Sequence, residues 1–339
     1  MKHSIAHLII CWFIFSISSC KQATVKNDSD FTITFGSCNR QNLENKLWDD
    51  IIEQKPDVWI WGGDNIYADT DDMVKLKAEY TKLLQDEGYK KLMSSTKILG
   101  TWDDHDYGLN DGGVHFDAKK ESQQVFLDFL NVPKDDDRRK QEGVYYSNTI
   151  QSDKGSIKII ILDTRYFRSD LTVSSDENKR YQPNEYGVGT ILGPDQLNWF
   201  EKELNTSKAD FNIIVSSIQV LSNLHGFEAW GNFPHELDRL KHVIINSNAK
   251  GVIILSGDRH ISEFSIENIG LKYPLIDFTS SGLTHVYSDF KSEENPYRFG
   301  NLVNRISFGV LEFDLKSKEV TMKMIGNQNE LQQQITQQY

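Results

Sequence analysis

Apolar residues in this chain fall into short runs, and each run stops at a knot of polar residues. Runs at 31–35, 57–61, 97–100, 157–162, 211–215 and 252–255 are too short for helices and rich in Ile, Val, Phe and Trp, which predicts buried strands. Between them, apolar residues recur at helical spacing. Residues 42–54 carry Leu43, Leu47, Ile51 and Ile52 in this way, and 72–92, 117–130, 194–205 and 235–248 repeat the pattern. Strands alternating with helices imply a layered α/β domain, whose reactive groups gather beyond the carboxyl ends of its strands. From 263 to 325 the pattern turns to strands (264–266, 275–279, 308–313 and 319–324), which implies a second sheet packed on the first. With no internal repeat and no Gly/Ser linker, a single domain over 31–326 is expected. The Gln- and Asn-rich end, 327–339, is expected to fray.

The N-terminus reads as an address. Lys2 precedes a ten-residue apolar run at 8–17, long enough for a signal-peptide core and too short for a bilayer-spanning anchor. It ends in Ile17-Ser18-Ser19-Cys20, which resembles a bacterial lipobox. That resemblance implies removal of 1–20, a lipid on Cys20, a polar tether over 21–30, and an extracytoplasmic protein held to a membrane. A plain secretory signal with an incidental Cys is the alternative. Cys11 leaves with the signal and Cys20 takes lipid, so Cys38 is the only free thiol and no intramolecular disulfide forms. A lone thiol in an oxidising compartment is either buried and inert or held by a metal.

Charge narrows the partners. The 339 residues carry 37 − 49 = −12, which argues against a general electrostatic grip on nucleic acid. An acidic chain that binds phosphate esters must take its positive charge locally, from metal ions or a few basic side chains, and a monomer is expected.

Four polar knots carry candidate chemistry. In Gly63-Asp64-Asn65-Ile66-Tyr67 a carboxylate following a strand and a Gly can point into a cleft and bridge two cations, and the phenol can return as a ligand to a strongly acidic metal. A turn Asp beside a packed Tyr has the same spacing. Trp102-Asp103-Asp104-His105-Asp106 gathers three carboxylates around one His, which is costly without a cation. Gly257-Asp258-Arg259-His260 puts Asp and His two apart, on one face. Gly36-Ser37-Cys38-Asn39 holds the thiol, a ligand or an inert core residue.

Together with Leu162-Asp163-Thr164-Arg165, these knots resemble the PhoD-type alkaline phosphatase/phosphodiesterase family of calcineurin-like metallophosphoesterases, over about 31–282. The Gly-Asp-x-x-Tyr piece is also similar to purple acid phosphatases. The resemblance implies a four-layer α/β/β/α sandwich of the metallo-dependent phosphatase type. It implies that Cys38, Asp64, Tyr67 and His260 hold an iron. Asp64 would bridge to a second metal, calcium in the resemblance, held also by Asp104 and Asp258. His105 takes the place of the catalytic histidine, Arg165 lies near the substrate phosphate, and Trp230 borders the pocket. Arg165 as a structural ion pair and Trp230 as a packing residue are the alternatives.

The donor chemistry agrees. Thiolate and phenolate suit a trivalent ion, and carboxylates suit a hard divalent one. Two metals held there would supply charge to an in-line displacement and a metal-bound hydroxide as the expected nucleophile, and His105 could donate to the leaving oxygen. Ser37 and Ser281 are then structural. Where broader metallophosphoesterases place a His after the fifth motif strand, this chain has Ser216-Ser217-Ile218-Gln219, and Asn110 is the candidate for the family's Asn. Manganese or zinc thus stays open. An extracytoplasmic nuclease or sulfatase, or a binding lipoprotein stabilised by metals, are the rival functions. Basic pairs such as Lys90-Lys91 read as solvated patches, and a purely structural metal site has no use for an adjacent His105.

Overall fold

The computed structural model describes residues 29–289 and 293–339, so the signal segment, Cys20 and the tether up to residue 28 lie outside the described residues. The strands are β1 (Phe31–Gly36), β2 (Val58–Gly62), β3 (Lys97–Thr101), β4 (Tyr146–Gln151), β5 (Ser156–Ile161), β6 (Thr172–Val173), β7 (Tyr181–Gln182), β8 (Phe211–Val215), β9 (Val252–Ser256), β10 (Ser262–Glu267), β11 (Leu275–Ser280), β12 (Arg298–Val303), β13 (Phe308–Asp314), β14 (Glu319–Gly326) and β15 (Glu330–Gln338). The helices are α1 (Trp48–Glu53), α2 (Met73–Gln85), α3 (Glu87–Ser95), α4 (Asp104–Tyr107), α5 (Lys119–Phe129), α6 (Gly193–Asn205) and α7 (Pro234–Asn246). No helix among the described residues is long and apolar enough to cross a membrane.

Two mixed sheets form the middle of the molecule. One runs β15-β14-β13-β1-β2-β3, the other β12-β10-β11-β9-β8-β5-β4. In the first, β1, β2 and β3 are parallel; in the second, β5, β8, β9 and β11 are parallel. The period-2 geometry of the strands explains the layers. Ile33, Phe35 and Ile60 of one sheet meet Ile159, Ile213, Leu255 and Phe278 of the other in a dry core. The alternate residues Trp59 and Trp61 face outward and pack under α1, α2, α3 and α5. Ile160, Ile214 and Ile254 face outward from the second sheet against α6 and α7. The result is four layers, α/β/β/α, as the family resemblance implies, and their strands read as continuous apolar runs because both faces are covered.

Three expectations differ from the structure. The stretch 72–92 is two helices, because Asp86 adopts extended backbone and its side chain caps the second by accepting from the Tyr89 amide at 2.9 Å. Residues 42–47 are a turn before α1, with the Asn45 side chain accepting the Leu47 amide at 3.0 Å. The tail does not fray: Glu330–Gln338 forms β15, antiparallel to β14 over its whole length. Gln side chains satisfy an edge strand because β pairing uses backbone groups, and the Gln-rich composition hid the alternation.

Candidate metal centre

All the parallel strands of both sheets end on one side, and the polar knots follow those ends. The sheets are tied there by a bridge between Ser37 and Ser281, with the Ser37 hydroxyl donating to the Ser280 carbonyl at 3.1 Å. This confirms Ser37 as structural; Ser281 is both a strut and a neighbour of the thiol, 3.1 Å from Cys38 Sγ.

The turns are tight. Cys38, Asp64, Asp258 and His260 all have positive φ, between 51° and 70°. Left-handed backbone at four chemistry-bearing residues costs of order 1–3 kcal/mol each and persists only where the surroundings impose it. Gly63, at φ 97°, makes one such turn possible: a Cβ there would stand 2.6 Å from Asp103 Cβ and 2.9 Å from Ser217 Cβ. The missing Cβ lets the β2 turn lie directly against the β3 and β8 turns.

The turns bring together six side chains from three separate corners of the first sheet and one of the second. Cys38 Sγ lies 3.5 Å from Asp64 Oδ2, and the Tyr67 hydroxyl lies 3.2 Å from the same oxygen and 3.1 Å from His260 Nε2. Ligand atoms of Cys38, Asp64 and His260 lie within 4.8 Å of one another, as do those of Asp64, Asp103, Asp104 and Asp258, and those of Asp64, Asp104 and His105. Asp64 belongs to every group.

Burial and mutual repulsion make this cluster of acidic groups costly in the absence of nearby positive charge. Burial pushes the Cys38 thiol up to about 11. Burial, then the charge of Asp104, raises Asp64 well above the usual carboxylate range, and burial, then Asp103, does the same to Asp258. Burial and Asp64 raise the Tyr67 phenol. Burial, with His285 and His105 nearby, lowers His260 to about 3, which keeps its imidazole neutral and able to ligate. A buried carboxylate cluster of this kind is unfavourable alone and favourable around a metal, and the thiol, phenol, imidazole and carboxylates present fit that role.

The three carboxylates of 103–106 divide their work. Asp104 faces the cluster, with its own oxygens accepting the Asp111 amide at 2.7 Å and the His105 amide at 2.8 Å. Asp103 accepts from Arg165 at 2.5 Å and from the Ser217 hydroxyl at 2.7 Å. Asp106 accepts from Asn65 Nδ2 at 2.6 Å and from the Tyr80 hydroxyl at 3.1 Å, so it fixes the β2 turn.

His105 lies at the mouth, its ring 4.2 Å from that of Tyr67. Its Nδ1 lies 2.8 Å from Asp69 Oδ1 and 2.9 Å from Oδ2. Burial works against the imidazolium, but the Asp69 hydrogen bond and the charge of Asp104 outweigh it, and the His105 pKa is raised.

Two expected substrate residues are elsewhere. Arg165 is fully buried, its guanidinium paired with Asp103 and Glu228 at 2.5 Å each, while Glu228 also holds Arg168 at 2.7 Å. Trp230 is fully buried in the α6/α7 core and donates from Nε1 to Ser216 Oγ at 3.0 Å. Neither has surface to offer a substrate; they hold the turns that carry the site. Gln219 is likewise turned inward, donating to Glu263 and Thr279, and Asn110 is exposed.

Sequence reasoning missed four residues at the mouth or beneath it. Asp69 stands five residues past Asp64, and its relation to His105 had no local sign. His285, its ring 4.3 Å from His260 and 5.2 Å from Tyr67, comes from a turn after β11 without motif. Arg40 sits over the Tyr67 ring at 4.8 Å. Glu228 had one usable signal, an acid isolated between Phe227 and Ala229 in an apolar stretch.

Two mixed sheets between helical layers, with ligand-type residues at the strand ends, define a fold of the metallophosphoesterase type. The chain belongs to the PhoD-like phosphatase family, which it matches over residues 33–269. It is 22% identical to alkaline phosphatase D of Bacillus subtilis (strain 168) over 249 residues, 64% of this chain and 40% of that protein, so it matches less than half the length of this curated relative. The solved structure of PhoD superposes on 91% of this chain and 68% of its own, with a TM-score of 0.72 at 16% identity. A dimetal phosphatase from Danio rerio superposes on 92% of this chain and all of its own, with a TM-score of 0.57 at 13% identity.

Proposed function

We propose that this protein is an extracytoplasmic, metal-dependent hydrolase of phosphate esters, acting on a small phosphorylated substrate and tethered to a membrane through Cys20. The reading is carried by one observation: two kinds of donor meet around a shared Asp64, with Cys38 and His260 on one side and Asp104 and Asp258 on the other. The thiol, phenol and imidazole side suits iron, and the carboxylate side suits calcium; manganese or zinc would find acceptable donors in the same set. When bound, such a pair supplies Lewis acidity at the phosphoryl oxygens and lowers the pKa of water toward about 7.

The remaining chemistry belongs to the chain. Asp69 binds the Nδ1 proton of His105 and favours the imidazolium, in which Nε2 carries the proton that a leaving ester oxygen needs. Arg40 is exposed and has no carboxylate partner among the described residues, so its charge is available to a non-bridging phosphoryl oxygen. The buried Asp103–Arg165–Glu228–Arg168 chain keeps Asp104 and the β5 turn fixed during turnover.

The test is elemental analysis of the chain expressed from residue 21, with hydrolysis of p-nitrophenyl phosphate and of its bis-ester. Iron plus a divalent ion, turnover of at least one ester, and its loss in Asp64→Asn are expected. A folded Asp64→Asn protein with normal turnover refutes the mechanism, and a Cys38→Ser protein with unchanged metal content removes the thiol from the ligand set.

A further inference from the structure

Beside the metal centre opens a pocket of about 530 Å³, lined by Phe227, Arg259, Val286, Tyr287, Ser288 and Asp289. It shares residues and contacts with the ligand turns. Arg259 stands between Asp258 and His260, and the Tyr287 ring lies parallel to the His260 ring, 4.6 Å away with 8° between planes. The Tyr287 amide donates to the His260 carbonyl at 3.3 Å.

The lining has an apolar and aromatic character despite the arginine. Arg259 is paired with Glu293 at 2.8 Å, both side chains 6% exposed, so its charge is already matched. Its guanidinium carbon lies over the Phe227 ring, 4.2 Å from the ring centre. Phe227 is held from the other direction as well, since its amide donates to His225 Nδ1 at 3.1 Å. Yet Phe227 keeps 39% of its surface exposed and Tyr287 keeps 51%. Two half-bare aromatic rings next to the candidate metal centre form a surface suited to a flat apolar group. The exposed Asp289 at the rim works against a second anion there.

A phosphoryl group seated on Asp64's ligand cluster must project its ester alcohol out of the site, and this pocket adjoins the His260 side of that cluster. We propose that the pocket seats the alcohol portion of the substrate, and that the preferred alcohol carries an aromatic ring. The proposal rests on the phosphoesterase reading and adds the substrate class.

The experiment compares 2-phenylethyl phosphate with ethyl phosphate, whose leaving alkoxides have similar basicity, by phosphate release from the metal-loaded protein. Stacking on an aromatic surface strengthens binding by about fivefold to 150-fold, so kcat/KM should favour the phenylethyl ester by about fivefold or more. Phe227→Ala should cut that ratio at least about fivefold, and Val286→Trp, which fills the pocket, should bring it to about one. Reading a ratio cancels any general loss of activity in a variant. A wild-type ratio near one, or a ratio unchanged in both variants, overturns the proposal. If neither ester turns over, the hydrolase reading fails on its own. Calorimetry with 2-phenylethylphosphonate and ethylphosphonate then still decides the pocket, with equal affinities overturning it and a phenylethyl preference lost in Val286→Trp sustaining it.

Discussion

Replacing Arg165 with methionine separates a buried clamp from a substrate contact. The Arg165 guanidinium has no exposed surface and lies 2.5 Å from both Asp103 and Glu228. Methionine fills much of the same space with a flexible thioether, so the cavity contribution is small. Charge dominates instead. Asp103 would keep only the Ser217 hydroxyl, 2.7 Å away, and Glu228 would keep only Arg168. Removing one partner from a buried ion pair costs about 3–5 kcal/mol because a charge is left uncompensated. At about 2 °C per kcal/mol for a large domain, the melting temperature should fall by about 6–10 °C. The assay is thermal melting by circular dichroism, with and without chelator, alongside p-nitrophenyl phosphate kinetics. Since Asp103 adjoins Asp104, kcat should fall while KM moves little. The double variant Asp103→Asn/Arg165→Met should melt higher than the sum of the two single losses predicts, because the two residues share one interaction. A variant that melts within a degree or two of the wild type and shows a large rise in KM would refute the clamp and return Arg165 to the substrate.

Three further outcomes follow from the geometry. Gly63→Ala forces a Cβ to 2.6 Å from Asp103 Cβ at φ 97°; metal content should drop and stability should fall by about 1–3 kcal/mol, read by elemental analysis and urea denaturation. Asp69→Asn leaves the ligands in place but removes the carboxylate that holds His105 Nδ1. Its kcat should fall by about tenfold to a hundredfold at unchanged metal content and KM, and an unchanged kcat would take Asp69 out of the mechanism. Arg40→Ala should raise KM and the inhibition constant of inorganic phosphate about tenfold at constant melting temperature, with Arg40→Lys in between, since a lost charge-assisted contact is worth about 1.4 kcal/mol or more.

The sequence by itself determined the layered α/β pattern and placed most of the candidate ligands at strand ends. Strand runs such as 157–162 and 252–255 are apolar on both faces because helices cover both sheets, and the first polar residue after each run must fall at a strand end. Parallel strands bring those ends to one side, and the family resemblance then singled out Cys38, Asp64, Asp104, Asp258 and His260 there as a candidate ligand set before any distance was known. What only the tertiary structure decided was which polar side chain faces inward. Asp103, Asp104 and Asp106 are interchangeable as letters, but the backbone of one short helix and its N-cap aims Asp104 at the candidate ligand cluster, pairs Asp103 with Arg165 at its edge and turns Asp106 to Asn65 and Tyr80. Arg165 and Trp230 bordered the site in sequence and were sealed beneath it in space. Asp69, Glu228, His285 and the aromatic pocket of Phe227 and Tyr287 are assembled from distant segments, because burial and partner choice depend on through-space packing, and local spacing does not encode them. The tail shows the same limit: its Gln side chains carry little apolar signal, and an open edge on β14, a property of the folded sheet alone, made a strand of it.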